Sequence, residues 1–259
     1  MNIDFYSINF ILLIILIFLG GFVDSIAGGG GIITLPAYFA FGIPPYIALG
    51  TNKFSGFFGT LFASIKYLRN NAVNIRIAII ATISSIIGSA IGSKVATLMS
   101  EEIIHYVVLI ITPSVLIFFL LKDVVIPNRK IKRTIEKSIR TDIYSAITGL
   151  LIGFYDGFFG PGTGTFLTIA FNSLIGLELI IASGTARLCN LGSNFGSLVI
   201  FLSNNKVLFP LAIFTAVSGI AGNILGSTIA LEKKEKIIKP LLSLTMILLI
   251  FEILRKRFF

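Results

Sequence analysis

Long apolar runs, separated by short polar and glycine-rich stretches, make up most of this chain. A bilayer crossing needs about 20 apolar residues. Runs of that kind lie near Phe5–Ala27, Pro45–Tyr67, Ile75–Leu98, Ile103–Leu121, Ile143–Phe159, Leu177–Leu202, Val207–Leu231 and Ile237–Leu254. Two runs of about 10 residues, Ile32–Phe41 and Thr165–Leu174, are too short to cross and read as half-helices or re-entrant segments. The pattern predicts an all-α, polytopic membrane protein of about eight transmembrane helices.

The pattern also repeats. GFVDSIAGGGG at Gly21–Gly31 returns as GFYDGFFGPGTG at Gly153–Gly164, and GTNK at Gly50–Lys53 returns as GTAR at Gly184–Arg187. IGSAIGSKVA at Ile87–Ala96 returns as AGNILGSTIA at Ala221–Ala230. Gly50 and Gly184, Gly88 and Gly222, and Gly92 and Gly226 are all separated by 134 positions. Duplication of an apolar chain is a transporter signature. The expected organisation is a first repeat over residues 1–121, a basic linker over 122–141 and a second repeat over 142–259.

Composition narrows the class. The chain of 259 residues is 55% hydrophobic and 13% charged, with a mean hydropathy of +0.96. An ordinary soluble domain carries about 25% charged residues. The net charge of +9 sits mostly between apolar runs, with no aromatic-and-basic motif, so it sets membrane topology rather than binding nucleic acid. A single cysteine, Cys189, excludes an intrachain disulfide, and a single histidine, His105, argues against a transition-metal site. The N-terminal run lacks a positive start, and its end is copied in mid-chain, so it reads as a span rather than a signal peptide.

Topology follows from charge. Lys122–Arg140 holds seven lysines and arginines against two acids. Placed in the cytoplasm, it puts both termini, Lys66, Arg69 and Arg76 there as well, with four crossings per half and repeats related by an axis along the membrane normal. The loop Glu232–Lys239, with four lysines, then falls outside, against the charge rule. Were a short segment to cross, each half would have five crossings and the repeats would be inverted.

The candidate chemistry lies at the echoed motifs. Gly28, Gly29, Gly30 and Gly31 cannot be a comfortable helix interior, since each costs about 1 kcal/mol relative to alanine. Gly160, Pro161, Gly162 and Gly164 break the second half in the same way. Broken backbone at membrane depth lines a cavity or packs in protein. The short segment after each break aims its free N–H groups back at it, which favours an anion. No GKS or GKT follows the glycines, which argues against a P-loop. Lys53 and Arg187 are isolated cations at matching places, and such charges need a partner or a purpose. Together they predict an anion site in one shared cavity. Asp24 and Asp156 are their expected counter-ions or proton carriers. Asn52, Asn190, Ser193 and Asn194 add uncharged donors, with Ser55 and Thr51 as weaker candidates. The pairs Gly88/Gly92, Gly222/Gly226, Gly149/Gly153 and Gly192/Gly196 read as helix contact surfaces.

GFVDSIAGGGGIITLPA followed by ALGTNK, with GFYDGFFGPGTGTF and GTARLCNLGSN, resembles the sulfite exporter TauE/SafE family, over about Leu19 to Leu242. The resemblance implies an inner-membrane protein of bacteria that moves small anions, sulfur-containing ones such as sulfite and sulfonates among them. It carries site roles onto Asp24, Gly28–Gly31, Asn52 and Lys53, and onto Asp156, Gly160, Pro161, Gly162, Arg187, Asn190 and Asn194. Arg187 stands where lysine is common in the family. The expected function is a secondary transporter for a small anion, with protons as a candidate coupling ion; an anion channel or a membrane scaffold is the alternative. The expected partners are membrane lipid, the anion, protons and a second copy in a homodimer. No cofactor, metal or catalytic residue is expected.

Overall fold

The computed structural model describes residues 7–100, 138–233 and 236–237. The expected spans Ile103–Leu121 and Ile237–Leu254, His105 and nearly all of the basic linker lie outside these residues, apart from Ile237 and the linker's last few positions. Eight helices and no strand are found among the described residues: α1 (Ile8–Ala27), α2 (Gly31–Ala40), α3 (Pro45–Arg69), α4 (Ile75–Leu98), α5 (Ile139–Phe158), α6 (Thr163–Ala170), α7 (Leu179–Ser203) and α8 (Phe209–Lys233). One π-turn, Phe171–Ile175, extends α6.

Local chemistry explains the boundaries. Ser7 caps α1 by accepting from the Phe10 N–H, and Asn74 caps α4 by accepting from the Ile77 N–H. Pro45 opens α3, where its missing N–H costs nothing. Gly28, at φ 83°, ends α1 in the left-handed conformation. Asn71 and Asn205 take the same conformation in the tight connections after α3 and α7.

Large apolar side chains cover much of the outside, while small polar side chains are buried inside beside four apolar clusters. On α4, Ile79, Ile83, Ile87 and Ile91 recur every fourth residue and are 50–57% exposed. The opposite face of the same helix buries Ser85, Ser89 and Ser93 completely. Such a helix suits lipid on one side and close helix contacts on the other. α1, α4 and α8 are long and apolar enough to cross a membrane by length and composition. α3, α5 and α7 match them in length, with 25, 20 and 25 residues, but carry the buried polar groups described below.

The glycine pairs act as contact surfaces. Gly88 and Gly92 bring α4 against the α5 backbone at Leu150 and Phe154, and Gly222 and Gly226 bring α8 against the α1 backbone at Phe18 and Phe22. Each first helix of one sequence half therefore packs on the fourth helix of the other. α3 and α8 pack together, as do α4 and α7.

The register of these contacts sets helix direction. Residue number rises together along α1 and α8 (Ile14 with Ser218, Phe22 with Gly226) and along α3 and α8 (Thr51 with Leu208, Lys66 with Thr228). It also rises together along α4 and α5 (Ala81 with Gly149, Ser89 with Gly157) and along α4 and α7 (Asn74 with Thr185, Ile86 with Gly196). α3 and α7 run oppositely: Gly50 meets the Lys206 carbonyl, Tyr67 meets Ser183 and Gly184 meets the Ala72 carbonyl. So α1, α3 and α8 point one way and α4, α5 and α7 the other. Equivalent helices of the two sequence halves are inverted.

Of the two arrangements that the sequence leaves open, parallel halves of four crossings and inverted halves of five, the contacts among the described helices fit the inverted one. Because α1 and α3 are parallel, α2 runs back between them. α1 then begins on the face opposite the one that carries Lys66, Arg69, Arg76, Arg140 and Lys233. The start of α1 and the linker's last residues therefore do not share a face. The basic end of α8, which conflicted with the charge rule, falls beside the other basic ends.

Candidate functional site

Helices α1 and α5 both stop at their glycine motifs, and the two breaks cross. Thr165 Oγ1 donates to the Ala27 carbonyl at 2.7 Å, and the Thr165 N–H to the Gly28 carbonyl at 3.3 Å. The crossing is close: a Cβ on Gly28 would fall on the backbone of Gly164 and Thr165. With φ at 83° as well, only glycine serves there. The orphan carbonyls at the end of α1 thus find donors in the first turn of α6.

The four charges pair across the crossing, each cation with the carboxylate of the other sequence half. Lys53 Nζ lies 2.7 Å from Asp156 Oδ2. Arg187 Nη1 lies 3.0 Å from Asp24 Oδ2 and donates to the Asp24 carbonyl at 2.6 Å. Asp156 also accepts from Thr163 Oγ1 and Ser193 Oγ, both at 2.7 Å. Asp24 Oδ1 accepts from the Gly30 N–H at 3.3 Å. Each cation is the ninth residue of its helix, about 12 Å along the axis at 1.5 Å per residue. Because α3 and α7 are antiparallel, the two pairs enter from opposite faces.

A cavity of about 60 Å³ lies at the crossing. At about 15 Å³ per water on this measure, it holds about four waters or an ion of similar size. Lys53, Asp156 and Asp24 line it. So do Gly30, Gly31 and Thr34 from the start of α2, and Gly160, Thr163 and Gly164 from the start of α6. Two helix N-termini therefore meet at one polar space. Of the expected residues, Asn52, Asn190, Asn194, Gly28 and Ser55 also line it. Asn52 Oδ1 is held by Thr34 Oγ1 at 2.7 Å, and Asn190 Oδ1 accepts from Ser193 at 3.3 Å.

Of the expected residues, Arg187, Gly29, Pro161, Gly162 and Ser193 do not line the cavity. Gly162, at φ 82°, turns the chain into α6. Arg187 is fully buried behind Gly164 and leaves Nε and Nη2 without a hydrogen-bond partner. The two cations therefore share the crossing but not the cavity, which differs from the symmetric site expected from the sequence. Thr51 is also elsewhere; its Oγ1 accepts from the Leu208 N–H at 3.1 Å and ties α3 to the start of α8.

Residues 13–253 match the family model described as sulfite exporter TauE/SafE. The chain belongs to the sulfite exporter TauE/SafE family. This TauE/SafE protein is 36% identical over 239 residues to the probable membrane transporter protein ORF9 of Sinorhizobium sp., covering 92% of this chain and 89% of that one. It is 33% identical over 224 residues to the probable membrane transporter protein YfcA of Escherichia coli K12, covering 86% and 81%. A probable membrane transporter protein of Haemophilus influenzae is also 33% identical over 224 residues, covering 86% of each chain. No solved structure matches. The TauE/SafE protein is thus a polytopic member of a membrane transporter family, and its relatives are named as transporters rather than enzymes.

The TauE/SafE cavity also contains residues that motif reading passed over. Thr34, Thr60, Thr163, Gly219 and Asn223 line it. Asn223 sits inside the echoed AGNILG stretch, next to Gly222. Its signal was the amide standing where the first copy has Ser89, 134 positions earlier.

Proposed function

We propose that this protein is a secondary transporter for a small anion such as sulfite or a sulfonate, with Lys53 as the cation that receives it. The observation that carries the reading is a cavity lined both by Lys53 and by the first turns of α2 and α6. Lys53, Arg187, Asp24 and Asp156 sum to zero formal charge. The first turns of α2 and α6 offer N–H donors to an anion there, while the carbonyl end of α1 is taken up by Thr165. With no ATP-binding motif in the chain, an ion gradient or a partner supplies the energy. Protons are the candidate coupling ion, because Asp24 and Asp156 line the same space.

The expected setting is a bacterial inner membrane. The basic ends at Lys66, Arg69, Arg76, Arg140 and Lys233 support a cytoplasmic reading of their face, with the start of α1 on the other side. Cysteines introduced at Ser7 and Asn70 test this with an impermeant thiol reagent. Labelling of only Ser7→Cys from outside intact cells is expected; labelling of only Asn70→Cys reverses the orientation. Saturable flux of labelled sulfite or ethanesulfonate in proteoliposomes, lost in Lys53→Met, tests the function. Flux that rises linearly with concentration supports a channel instead, and no flux of any small anion supports a scaffold.

A further inference from the structure

The cavity has a second end whose chemistry is opposite to that of Lys53. Thr60 lies seven residues beyond Lys53 on α3, two helical turns or about 10.5 Å along the axis. Asn223 approaches from α8, against Gly21 and Gly59. Both side chains line the cavity and are nearly inaccessible, at 1% and 4% exposure. Thr60 Oγ1 and Asn223 Oδ1 are buried without a hydrogen-bond partner. A native structure rarely leaves such groups unsatisfied, and each costs about 1–3 kcal/mol.

The polarity of this end is set by the amide. Asn223 Nδ2 donates to the Gly219 carbonyl at 2.9 Å. Turning the amide over would place Oδ1 against that carbonyl, so Nδ2 stays engaged and Oδ1 is the amide atom left for a further partner. An amide oxygen only accepts. The anionic end of a ligand would be repelled there; a hydroxyl or ammonium group would be bound. The Thr60 hydroxyl can accept from the same group or donate to it.

We propose that Thr60 and Asn223 form a specificity subsite for a hydrogen-bond donor carried on the tail of the anion. The preferred ligands are short organic anions bearing a hydroxyl or ammonium group a few bonds from the charged head. This rests on the anion reading above, with Lys53 and the two helix N-termini taking the head.

Binding of ethanesulfonate and 2-hydroxyethanesulfonate to the purified full-length protein, followed by calorimetry, tests the subsite. The two differ only by the donor. The hydroxylated compound is expected to bind at least tenfold more tightly. Thr60→Val, which keeps the shape, and Asn223→Ser, which copies Ser89, are each expected to bring the ratio of the two affinities close to one. Equal affinities in the parent protein, or an undiminished ratio in both variants, overturns the subsite while leaving the anion site standing. Failure of both compounds to bind the parent protein, or binding that survives Lys53→Met, overturns the anion site and the subsite with it.

Discussion

The α3–α8 seam and the α4–α7 seam are built from equivalent stretches, yet one holds the cavity and the other is closed. On the closed side Ser85 Oγ donates to the Cys189 carbonyl at 2.7 Å, and Gly192 and Gly196 let α7 press against Thr82, Ser85 and Ile86. At the spacing of 134, Ser85 corresponds to Gly219, Cys189 to Ser55 and Asn190 to Gly56. Gly219 offers no hydroxyl to the Ser55 carbonyl, and the nearest atoms to a Cβ there lie 3.8 Å away. Missing side chains, rather than a different backbone, leave room on the α3–α8 side. The ion pairs follow the same division, since Lys53 lines the cavity and Arg187 is sealed. Duplicated sequence can thus yield one binding space when a few small residues differ.

The sharpest way to break this comparison is to remove each cation. Arg187→Met leaves the Asp24 carboxylate without its guanidinium and empties a fully buried site. A loss of about 3–5 kcal/mol is expected, seen as failure of the protein to accumulate in membranes or to melt cooperatively. Lys53→Met leaves Asp156 bonded to Thr163 and Ser193 at the edge of the cavity. Its protein is expected to accumulate, with anion flux reduced by more than about 100-fold, or about 3 kcal/mol in transition-state terms. Equal stability and equal flux in the two variants would erase the distinction between the open and the sealed side.

A smaller effect sharpens it. Gly219→Ser adds the hydroxyl that Ser85 supplies on the closed side, within reach of the Ser55 carbonyl. Stability is expected to change by less than about 0.5 kcal/mol, because the site is roomy. Flux should fall several-fold, more for larger anions than for sulfite, as measured side by side in proteoliposomes. Full flux for every anion would show that Gly219 does not keep the seam open.

The smallest effect on flux is expected from the reverse swap. Ser85→Gly removes a buried hydrogen bond to the Cys189 carbonyl, worth about 1 kcal/mol, plus about the same for a glycine inside a helix. A lowered melting temperature with unchanged flux is expected. A gain of flux or a broadened anion range would mean that this seam, too, can open.

Much of this was legible before any tertiary contact was known. Membrane character, the breaks at Gly28–Gly31 and Gly160–Gly164, and the four charged residues are read from local quantities: transfer cost, helix propensity and isolated charge. The short runs after the breaks appear as α2 and α6 for the same reason. Tertiary structure alone decided which cation meets which carboxylate, because Lys53 and Asp156 lie 103 positions apart and no periodicity relates them. It also decided that equivalent helices are inverted, since direction depends on whether α2 turns back between α1 and α3. Charge counting could not see that turn, because α2 carries no charge. The sealing of Arg187, and the pairing of Thr60 with Asn223 at one end of the cavity, depend on how four helices and two crossing breaks pack, and packing is a property of the whole chain.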